Sequence, residues 1–431
     1  MQLRDYQRIG ADFLAKRPYA LLADEMGIGK TAQACTAINE TLLPGERALI
    51  ICPASLKVNW FRELAMWAPR LKVAIVPPGK VPFPRHSDVV IINYDLLKKH
   101  HNSIRFYTWE IVCCDEAHYL KNLESIRCKE VRGGFGVSPI PCSTKWALTG
   151  TPIENRPVEL YALLKWFRAP GFGQSLNDYG VRYCGAFHDG FQWVYRGASN
   201  LDELRTKLEP FTLRRLKKDV LTELPPKIRQ IVELEPDAKA RKALAKEKQV
   251  VQVYGDAIKK MKFTGLSAKS MGEIAQARKE TALAKLDAAI DYIKGELEEV
   301  DKIVVFAYHT EVIDKLMTAL AKYGAVRLTG ETSQKARQDA VDRFQKDTNV
   351  RVFVGNIIAA GTGITLTAAS LTVFVEESWV PGQIMQAEDR THRIGQKDCV
   401  VIKHLILAGS IDGMMLNSQA VKQEVIDKVF N

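Results

Sequence analysis

The amino-acid sequence predicts an α/β protein built from two doubly wound, mainly parallel β-sheets, with helical insertions and a helical linker. Short apolar runs typical of buried strands alternate with helical segments over residues 1–160, which indicates βα units in a parallel sheet. A second alternation of the same kind begins at Lys302. Between them, residues 236–300 read as two long helices rich in Ala, Lys and Glu. We therefore divide the chain into a first lobe (1–160), an insert (161–235), a helical linker (236–300) and a second lobe (301–431).

The predicted strands are short and apolar, and each is followed by a turn or a helical segment. In the first lobe they are the run before GIGKT, then RALIIC, Val73–Val76, DVVIIN, Ile111–Cys114 and KWALT. In the second lobe they are KIVVFAY, VRVFVG, LTVFVEE and CVVIKHL. Continuous apolar runs of this length are typical of strands that are buried on both faces of a sheet.

A glycine turn between a strand and a helix predicts a phosphate-binding loop near the N-terminus. The segment LLADEMGIGKTAQA passes from an apolar run through Gly27 and Gly29 to Lys30 and Thr31. Glycines let backbone N–H groups surround a phosphate, and the start of a helix adds a favourable dipole. Lys30 would reach the outer phosphates, and the Thr31 hydroxyl would ligate Mg²⁺. Asp24 stands where the full pattern has its first glycine, so this string alone does not decide the function.

Two adjacent acids after another apolar run predict the complementary half of a nucleotide site. In IVCCDEAHYLKN, the run from Ile111 to Cys114 ends in Asp115 and Glu116. Ligands bind at the carboxyl ends of strands in open α/β sheets. One acid that holds Mg²⁺ and a second that orients the attacking water are what phosphoryl transfer requires. A helix-capping acid pair is the structural alternative, but the two half-sites in this order favour a nucleotide hydrolase.

The net charge of +11 over 431 residues favours a polyanionic partner, because basic side chains release counterions from nucleic-acid phosphates. A soluble basic protein without such a partner is the alternative that composition leaves open. The basic residues are spread along the chain, so a membrane surface is not the expected partner. The sequence has no 18-residue apolar run and no signal peptide, and we expect a cytoplasmic protein.

The eight cysteines follow no metal-binding pattern. They stand at positions 35, 52, 113, 114, 128, 142, 184 and 399, without CxxC pairs or nearby histidine ligands. Several fall in predicted strands, so we expect buried free thiols in a reducing compartment rather than a zinc site.

Residues 161–235 interrupt the α/β alternation with an aromatic stretch and then a basic one. The aromatic residues are Tyr179, Tyr183, Phe187, Phe191, Trp193 and Tyr195. The basic residues before LTELPPK include Arg214, Arg215, Lys217 and Lys218. The functional interpretation is a helical insert that contacts a nucleic-acid backbone or braces the lobes. The structural alternative is a connector with a solvated surface.

Paired arginines near the C-terminus predict a phosphate-facing element of the second lobe. No second phosphate loop occurs there, so one nucleotide is expected to serve both lobes. In QAEDRTHRIGQ, helical spacing would place Gln386, Asp389, Arg390 and Arg393 near one face. Two arginines on one face could stabilise charge on a γ-phosphate. Exposed arginine-rich helices are common, so this motif is weak by itself.

Taken in order, DEMGIGKT, DEAHYLKN, LTGTP, GTGITLTAAS and QAEDRTHRIGQ resemble the motifs of the SWI/SNF-type DNA-translocating ATPases of helicase superfamily 2. The resemblance runs from Leu3 to Leu416 and implies two RecA-like lobes, reduced to the ATPase core. Three segments look most like the annealing-helicase (HARP-type) branch: YGVRYCGAF, the stretch ending in LTELPPK, and QAEDRTHRIGQ. One departure is Trp379-Val380-Pro381, where the family usually has Trp-Asn-Pro, so a polar contact at Val380 is in doubt.

The resemblance implies a role for each matching position. The residues expected to contact ATP are Gln7 at the adenine, Asp24, Gly27, Gly29, Lys30, Thr31 and Gln386. In hydrolysis, Lys30 would act at the phosphates, while Asp115 and Thr31 would hold Mg²⁺. Glu116 would be the general base, His118 a coupling residue, and Arg390 and Arg393 the arginine fingers. Those in DNA-tracking segments are Ser55, Lys57, Lys121, Asn122, Thr151, Thr365, Trp379, Arg214, Arg215, Lys217 and Lys218. Turn residues are the alternative for Ser55 and Lys57.

We therefore expect a monomeric, ATP- and Mg²⁺-dependent translocase on double-stranded or branched DNA, which remodels or reanneals DNA in replication or repair. Its contacts would be mainly to phosphates, with little sequence preference. A strand-separating DNA or RNA helicase, a motor subunit of a larger assembly and a nucleotide-gated DNA-binding module without catalysis are the alternatives. Intact Lys30, Asp115, Glu116 and Arg393 argue against the non-catalytic module.

Overall fold

A computed structural model describes residues 2–79, 82–173, 175–259, 267–360 and 363–430. The chain divides into two compact units. Unit 1 comprises residues 1–222 and 424–431, and unit 2 comprises residues 223–423. Each unit contains its own parallel β-sheet, so the predicted α/β class with two parallel-sheet lobes is confirmed.

Unit 1 is organised around a seven-stranded parallel sheet. Its strands are β1 (Tyr19–Leu22), β2 (Ala48–Cys52), β3 (Val73–Ile75), β4 (Val89–Asn93), β5 (Trp109–Asp115), β6 (Cys142–Leu148) and, after the antiparallel hairpin β7 (Phe187–His188) and β8 (Trp193–Val194), β9 (Thr212–Leu213). The strand order is β3-β4-β2-β5-β6-β1-β9. Because β1 and β5 are parallel and separated only by β6, the loops that follow them lie at the same edge of the sheet.

Helices cover both faces of this sheet. They are α1 (Asp5–Ala15), α2 (Lys30–Thr41), α3 (Lys57–Trp67), α4 (His101–Arg105), α5 (Ile126–Arg132), α6 (Tyr161–Phe167), α7 (Leu176–Tyr183), α8 (Leu201–Leu208) and α9 (Lys217–Val220). Alternate residues of β5 enter two different hydrophobic clusters, with Val112 and Cys114 in one and Ile111 and Cys113 in the other. Burial on both faces explains why the strand sequences are continuously apolar.

Unit 2 contains a six-stranded parallel sheet. Its strands are β10 (Lys227–Leu234), β11 (Ile303–Ala307), β12 (Ala325–Leu328), β13 (Val352–Asn356), β14 (Leu371–Phe374) and β15 (Val400–Leu407), in the order β10-β15-β14-β11-β13-β12. The helices are α10 (Ala238–Lys259), α11 (Ala268–Ala284), α12 (Leu286–Glu299), α13 (Thr310–Leu320), α14 (Gln334–Lys346), α15 (Ile357–Ala360) and α16 (Pro381–Glu388). Helix α17 (Ile411–Phe430) begins in unit 2, and its residues from 424 onward belong to unit 1. Among the described residues, no helix combines the length and the apolar character that a membrane span requires.

The division of the chain differs from the one drawn from the sequence. Residues 227–234 form the edge strand β10, which pairs along its whole length with β15, whereas the sequence placed them in the insert. The strand is mostly exposed and has no continuous apolar run, so it lacks the signal of a buried strand. Residues 236–300 contain three helices rather than two, and α12 packs in the same hydrophobic cluster as β11. The linker segment is therefore part of unit 2.

All eight cysteines are free thiols. Six are buried, Cys142 is intermediate and Cys399 is exposed. Burial raises the pKa of Cys142 to about 11 and that of Cys184 to about 12. Within the described residues, no group of three or more His, Cys, Asp or Glu side chains is arranged to hold a metal ion.

Candidate nucleotide-binding site

The predicted phosphate loop joins β1 to α2 in unit 1. Gly27 and Gly29 have φ angles of 81° and 90°, which residues with a β-carbon rarely adopt. A β-carbon at Gly29 would lie 2.4 Å from Nε2 of Gln7. Lys30 begins α2, and its ammonium donates to the carbonyl of Asp24 over 2.7 Å. The loop thus has the backbone shape, the lysine and the helix start that phosphate binding requires.

Gln7 is bonded directly to this loop. Its Nε2 donates to the carbonyl of Ile28 over 3.1 Å, and its Oε1 accepts from the backbone N–H of Arg4 over 3.1 Å. The hydroxyl of Tyr6 donates to the same Ile28 carbonyl over 3.2 Å. These bonds fix the first turn of α1 beside the phosphate loop. Adenine recognition by Gln7 stays a prediction, and its position next to the loop supports it.

Asp24 is fully buried, and its carboxylate anchors the phosphate loop to the rest of unit 1. Its Oδ1 accepts from Nε of Arg215 over 2.9 Å, and its Oδ2 accepts from Nε2 of Gln33 over 3.2 Å. Arg215 also donates to Oε1 of Gln33 over 2.9 Å. The carboxylate therefore ties the phosphate loop to α2 and to the segment after β9. The sequence analysis missed this cluster, because Arg215 lies 191 positions from Asp24 and no local pattern joins them.

Most of the basic segment after β9, which was predicted to contact DNA, is bonded within unit 1 instead. Besides Arg215, Arg214 donates to the carbonyl of Ala23 over 3.2 Å, and burial lowers the pKa of its guanidinium. Lys217 is buried, and its backbone N–H donates to the carboxylate of Glu25 over 2.7 Å. Because β9 pairs with β1, the residues that follow it pack beside the phosphate loop. Of the four basic residues, Lys218 is exposed and remains a candidate DNA contact.

Asp115 ends β5 at the same edge of the sheet. Its Oδ2 accepts from the indole N–H of Trp60 over 2.7 Å, and its Oδ1 accepts from the backbone N–H of Glu116 over 2.9 Å. Burial, together with the charge of Glu116, raises the pKa of the Asp115 carboxyl to about 7. The sequence analysis missed Trp60, because its role depends on α3 packing against the sheet. A bound divalent cation would favour the ionised form of this carboxyl.

Glu116 has a backbone conformation that is unusual for a residue with a side chain. Its φ and ψ angles are 50° and 51°, and such strain is concentrated at functional sites. Its Oε2 is buried 3.3 Å from Nδ1 of His118, yet it accepts no hydrogen bond from any described residue. Burial lowers the pKa of Lys30, while the charges of Glu116, Asp24 and Asp115 act in the opposite direction. The acids and the phosphate loop therefore form one site.

His118 connects the acids to the loop after β6. Its Nδ1 lies 3.2 Å from Oγ1 of Thr149, which accepts from the backbone N–H of Thr151 over 3.1 Å. Its Nε2 lies 3.8 Å from the carboxylate of Glu154, which also pairs with Lys121. The coupling role expected of His118 stays a prediction, and these contacts with residues 149–154 support it. Thr151 itself is buried.

The remaining predicted DNA contacts of unit 1 are divided between surface and interior. Ser55 is exposed. Lys57 is buried instead, and its ammonium donates to the carbonyl of Val76 over 3.0 Å. Asn122 accepts the backbone N–H of Glu124 through Oδ1 over 2.9 Å. The structure therefore places the charge of Lys57 in the fold rather than on a DNA-facing surface, whereas Ser55 and Asn122 stay candidates.

The arginine segment of unit 2 forms a compact loop, and the predicted single helical face is wrong. Helix α16 ends at Glu388, and Asp389 is its C-cap. The next turn is tighter than an α-helical one, because the backbone N–H of Arg390 donates to the carbonyl of Ala387, three residues back. The carbonyl of Arg390 accepts the backbone N–H of Leu366. The Arg390 carbonyl thus bonds a residue outside the segment, as the orphan carbonyls at a helix end commonly do. Gln386 is buried at the end of α16. We name residues 389–396 the arginine loop.

Both arginines contact the neighbouring segment of GTGITLTAAS. Nη1 of Arg390 and Nη1 of Arg393 donate to the carbonyl of Ile364 over 3.2 and 3.0 Å. Arg393 also donates to Oγ1 of Thr365 over 3.1 Å. Arg390 is additionally bonded through Nε to the carbonyl of Gln386 over 2.8 Å. Two cationic side chains are thus brought together, as predicted, although by a loop. Residues 361 and 362 of this motif lie outside the described residues.

Trp379 lies in unit 2 with the guanidinium of Arg278 over its ring, 5.2 Å from the centroid. Arg278 also donates to the carbonyl of Glu377 over 2.9 Å. The partly buried indole of Trp379 packs against the hydrophobic cluster that contains Ile411 and Met415. The predicted DNA contact at Trp379 is not tested by these contacts and stays a prediction.

A buried charge cluster supports the base of the arginine loop. Lys227 of β10 donates to Glu388 and to Asp389, each over 3.0 Å. Arg229 donates to both carboxylate oxygens of Glu388 over 2.8 and 2.7 Å. His404 of β15 lies 3.7 Å from Glu388. Burial alone would raise the pKa of the Glu388 carboxyl, but these cations hold it well below its usual value. We name these five residues the β10 charge cluster.

The stability of unit 2 is expected to fall as the pH rises from about 7 to 10. Burial alone would lower the pKa of His404, but Glu377, 2.7 Å from its Nδ1, and Glu388 raise it to about 10. A pKa raised above the unfolded value of about 6.5 contributes stability that is complete below that value and is lost as the pH approaches 10. Urea unfolding from pH 7 to 10 measures this loss. His404→Asn, which keeps a donor for Glu377, should flatten the profile; an unchanged slope would contradict the assignment.

The fold and the site define a nucleotide-binding α/β protein with a phosphate loop, paired acids and a separate arginine loop. The SNF2-related domain matches residues 6–285, and the helicase conserved C-terminal domain matches residues 284–395. The chain belongs to the SNF2-related family. It is an ATPase of the SNF2 helicase-like type.

Similar proteins agree with this membership. The chain is 37% identical over 450 residues to the human protein described as DNA annealing helicase and endonuclease ZRANB3, with 100% of this chain and 40% of that protein covered. It is 36% identical over 424 residues to the Xenopus tropicalis SWI/SNF-related matrix-associated actin-dependent regulator of chromatin subfamily A-like protein 1, covering 95% and 43%. The chain thus spans about two fifths of the length of these curated relatives.

A solved structure, the Sulfolobus solfataricus SWI2/SNF2 ATPase core in complex with dsDNA, aligns with a TM-score of 0.48 and 24% identity, covering 100% of this chain and 97% of that one.

Proposed function

We propose that this chain is an ATP- and Mg²⁺-dependent translocase that acts on double-stranded or branched DNA and remodels or reanneals it. The observation that carries the proposal is the site at the edge of the unit 1 sheet, where Lys30, Asp115 and Glu116 meet. Family membership and the names of the relatives, one of them described as a DNA annealing helicase, support DNA as the polymer.

The residues present fit ATP with a divalent cation. Gly27 and Gly29 shape a loop whose N–H groups can bind phosphate oxygens, and Lys30 supplies a cation. The oxygens of Thr31 and Asp115 are hard ligands of the kind that Mg²⁺ prefers. When bound, Mg²⁺ would neutralise charge on the phosphates. Glu116, with a buried carboxylate oxygen that no described residue bonds, would accept a proton from the attacking water.

Arg390 and Arg393 are the proposed arginine fingers, with Gln386 beside them. Both side chains donate through Nη1 to the carbonyl of Ile364, so the arginine loop holds two guanidinium groups close together. A guanidinium keeps its positive charge in proteins and can bond a phosphate through two parallel N–H groups. Such a charge stabilises phosphoryl transfer in nucleotide hydrolases.

ATP hydrolysis in the presence of different polymers tests the proposal. We expect weak hydrolysis by the chain alone and at least about a tenfold increase with blunt duplex or forked DNA. Because the protein is expected to contact DNA through its phosphates, this increase should become steeply smaller as the salt concentration rises. The same reactions contain single-stranded DNA or RNA as comparison polymers, and the Lys218→Ala variant reports on an exposed basic residue of unit 1.

Stimulation by duplex or forked DNA would support the translocase. Stimulation by single strands or RNA alone would favour the strand-separating helicase instead. No hydrolysis with any polymer would overturn the motor proposal for this chain and leave a non-catalytic module. Translocation itself is then measured by displacement of a triplex-forming strand from a duplex, which requires no separation of the duplex strands.

A further inference from the structure

The hairpin β7–β8 presents an aromatic side chain to solvent and has no part in the proposed ATP site. Phe191, at its tip, is 97% exposed, and Phe187 on β7 is more than half exposed. These residues belong to the aromatic stretch that interrupts the α/β alternation. A large apolar side chain that folding leaves in water gains free energy when a partner covers it. Phe191 and Phe187, on the same hairpin, are therefore both accessible to a partner.

The tip that carries Phe191 is a well-defined turn. Oδ1 of Asp189 accepts the backbone N–H groups of Phe191 and Gln192, each over 2.9 Å. The backbone N–H of Asp189 donates to the carbonyl of Gln192 over 3.1 Å, and Gly190 has a φ angle of 100°. The N–H groups of Gln192 and Phe191 lower the pKa of the Asp189 carboxyl. A turn ordered in this way presents the ring without a large entropic cost on binding.

The base of the hairpin packs on helix α7. The rings of Trp193 and His188 meet edge to face with centroids 5.8 Å apart, and Trp193 and Tyr195 stack at 6.5 Å. The hydroxyl of Tyr195 donates to Asn177 of α7. A β-carbon at Gly180 of α7 would lie 2.4 Å from the Tyr195 ring. The glycine thus permits the close contact that fixes the hairpin to the helix.

A cavity of about 620 Å³ lies between the hairpin and α7. Trp193 forms an aromatic wall, Asn177 and Asn200 supply amides, and Arg182 supplies a cation. Ser175, Asp178 and Val181 complete the lining, so the cavity also contains one carboxylate. Arg182 pairs with Glu203, but its side chain remains 59% exposed. Amides can bond the edge of a nucleobase, an indole can stack on its face, and a guanidinium attracts a phosphate. The volume is within the range of about 300–1,000 Å³ that is usual for small-ligand sites.

We propose that the β7–β8 hairpin and this cavity form a binding site for unpaired nucleotides of DNA, in which Phe191 and Trp193 stack on exposed bases. Bases inside a duplex are covered on both faces by their neighbours, so such stacking selects single strands, frayed ends and branch points. The inference deepens the proposed action on branched DNA and rests on it. The hairpin would add preference for a DNA structure without adding preference for a sequence, because every base has a face that can stack.

Binding of fluorescein-labelled oligothymidylate and of a labelled blunt duplex, measured by anisotropy, tests the site. Because Phe191 is almost fully exposed, Phe191→Ala should leave folding intact. It is expected to weaken oligothymidylate binding about tenfold, with the duplex Kd unchanged. Phe191→Trp should restore binding, because the indole also stacks. Phe106→Ala, at a phenylalanine of unit 1 that is 81% exposed, is the matched control and should bind both DNAs normally.

Equal oligothymidylate binding by the wild type and Phe191→Ala would overturn the proposal. An equal loss for oligothymidylate and duplex would overturn it too, because stacking requires unpaired bases. A gel-filtration shift of the wild type to a dimer that Phe191→Ala abolishes would assign the ring to a protein contact instead. Duplex-stimulated ATP hydrolysis by Phe191→Ala should equal that of the wild type, so failure of this site is distinguishable from failure of the motor function.

Discussion

Replacement of Glu116 by glutamine is expected to lower ATP hydrolysis by at least about a hundredfold while nucleotide binding is kept. The change preserves the size of the side chain, but it replaces the carboxylate with a neutral amide, which does not take a proton from water. General-base catalysis typically contributes a factor of about 10² to 10⁴. The measurement is phosphate release with duplex DNA, together with the Kd for a fluorescent ATP analogue.

The neighbouring residues of the same site supply the comparison. Lys30→Ala should weaken analogue binding as well as hydrolysis, because it removes a cation from the phosphate loop. Glu110→Gln, on the opposite end of β5, is the matched control and should hydrolyse ATP at the wild-type rate. If Glu116→Gln hydrolysed ATP within about threefold of the wild type, Glu116 would not be the general base. The site would then need another group to activate water.

Glu388→Gln is expected to lower the free energy of unfolding of unit 2 by about 3 kcal/mol. Glu388 is buried and takes bonds from Lys227 and Arg229 in the β10 charge cluster. Removing one partner of a buried ion pair leaves the other charge without compensation, and such changes cost about 3–5 kcal/mol. Hydrogen exchange of the amides of β11 and β13 under native conditions measures the effect within unit 2 itself.

Arg229→Gln is the control in the same cluster. The side chain of Arg229 is 53% exposed, so water can solvate what remains after its removal, and the loss should stay below about 1 kcal/mol. Equal losses for Glu388→Gln and Arg229→Gln would contradict the assignment of Glu388 as the centre of the cluster. Because Glu388 directly precedes the arginine loop, Glu388→Gln should also disturb that loop.

The features that the sequence predicted well are local ones. The glycine turn at Gly27 and Gly29 and the acids after β5 are each encoded within about twelve consecutive residues, and the chain forms them at the same sheet edge because β1 and β5 are parallel. The continuous apolar runs also identified the buried strands of both sheets. A short, continuously apolar run was enough to predict these strands, since a strand that is buried on both faces of a sheet needs apolar residues at every position.

The features that the sequence did not predict depend on distant partners. Arg215 was assigned to DNA from its charge, yet it binds Asp24, which the chain brings close only when β9 joins the sheet. The ammonium of Lys57 is likewise directed to the carbonyl of Val76. The arginine loop was predicted as helix because its spacing fits one, but Leu366 takes the carbonyl of Arg390. Spacing within one segment could not reveal these bonds.

Because Cys399 is exposed and the other cysteines are wholly or partly buried, a thiol reagent can label this protein at one position. A sulfhydryl reacts as its thiolate, so burial and a raised pKa protect a cysteine from alkylating reagents. Cys399 is exposed and lies three residues after Gln396, the last residue of the arginine loop, whose amide is bonded to the carbonyl of Ala369 over 2.9 Å. A maleimide dye added to the native protein would therefore mark one position. That dye would report rearrangements of the arginine loop in real time, without any change to the sequence.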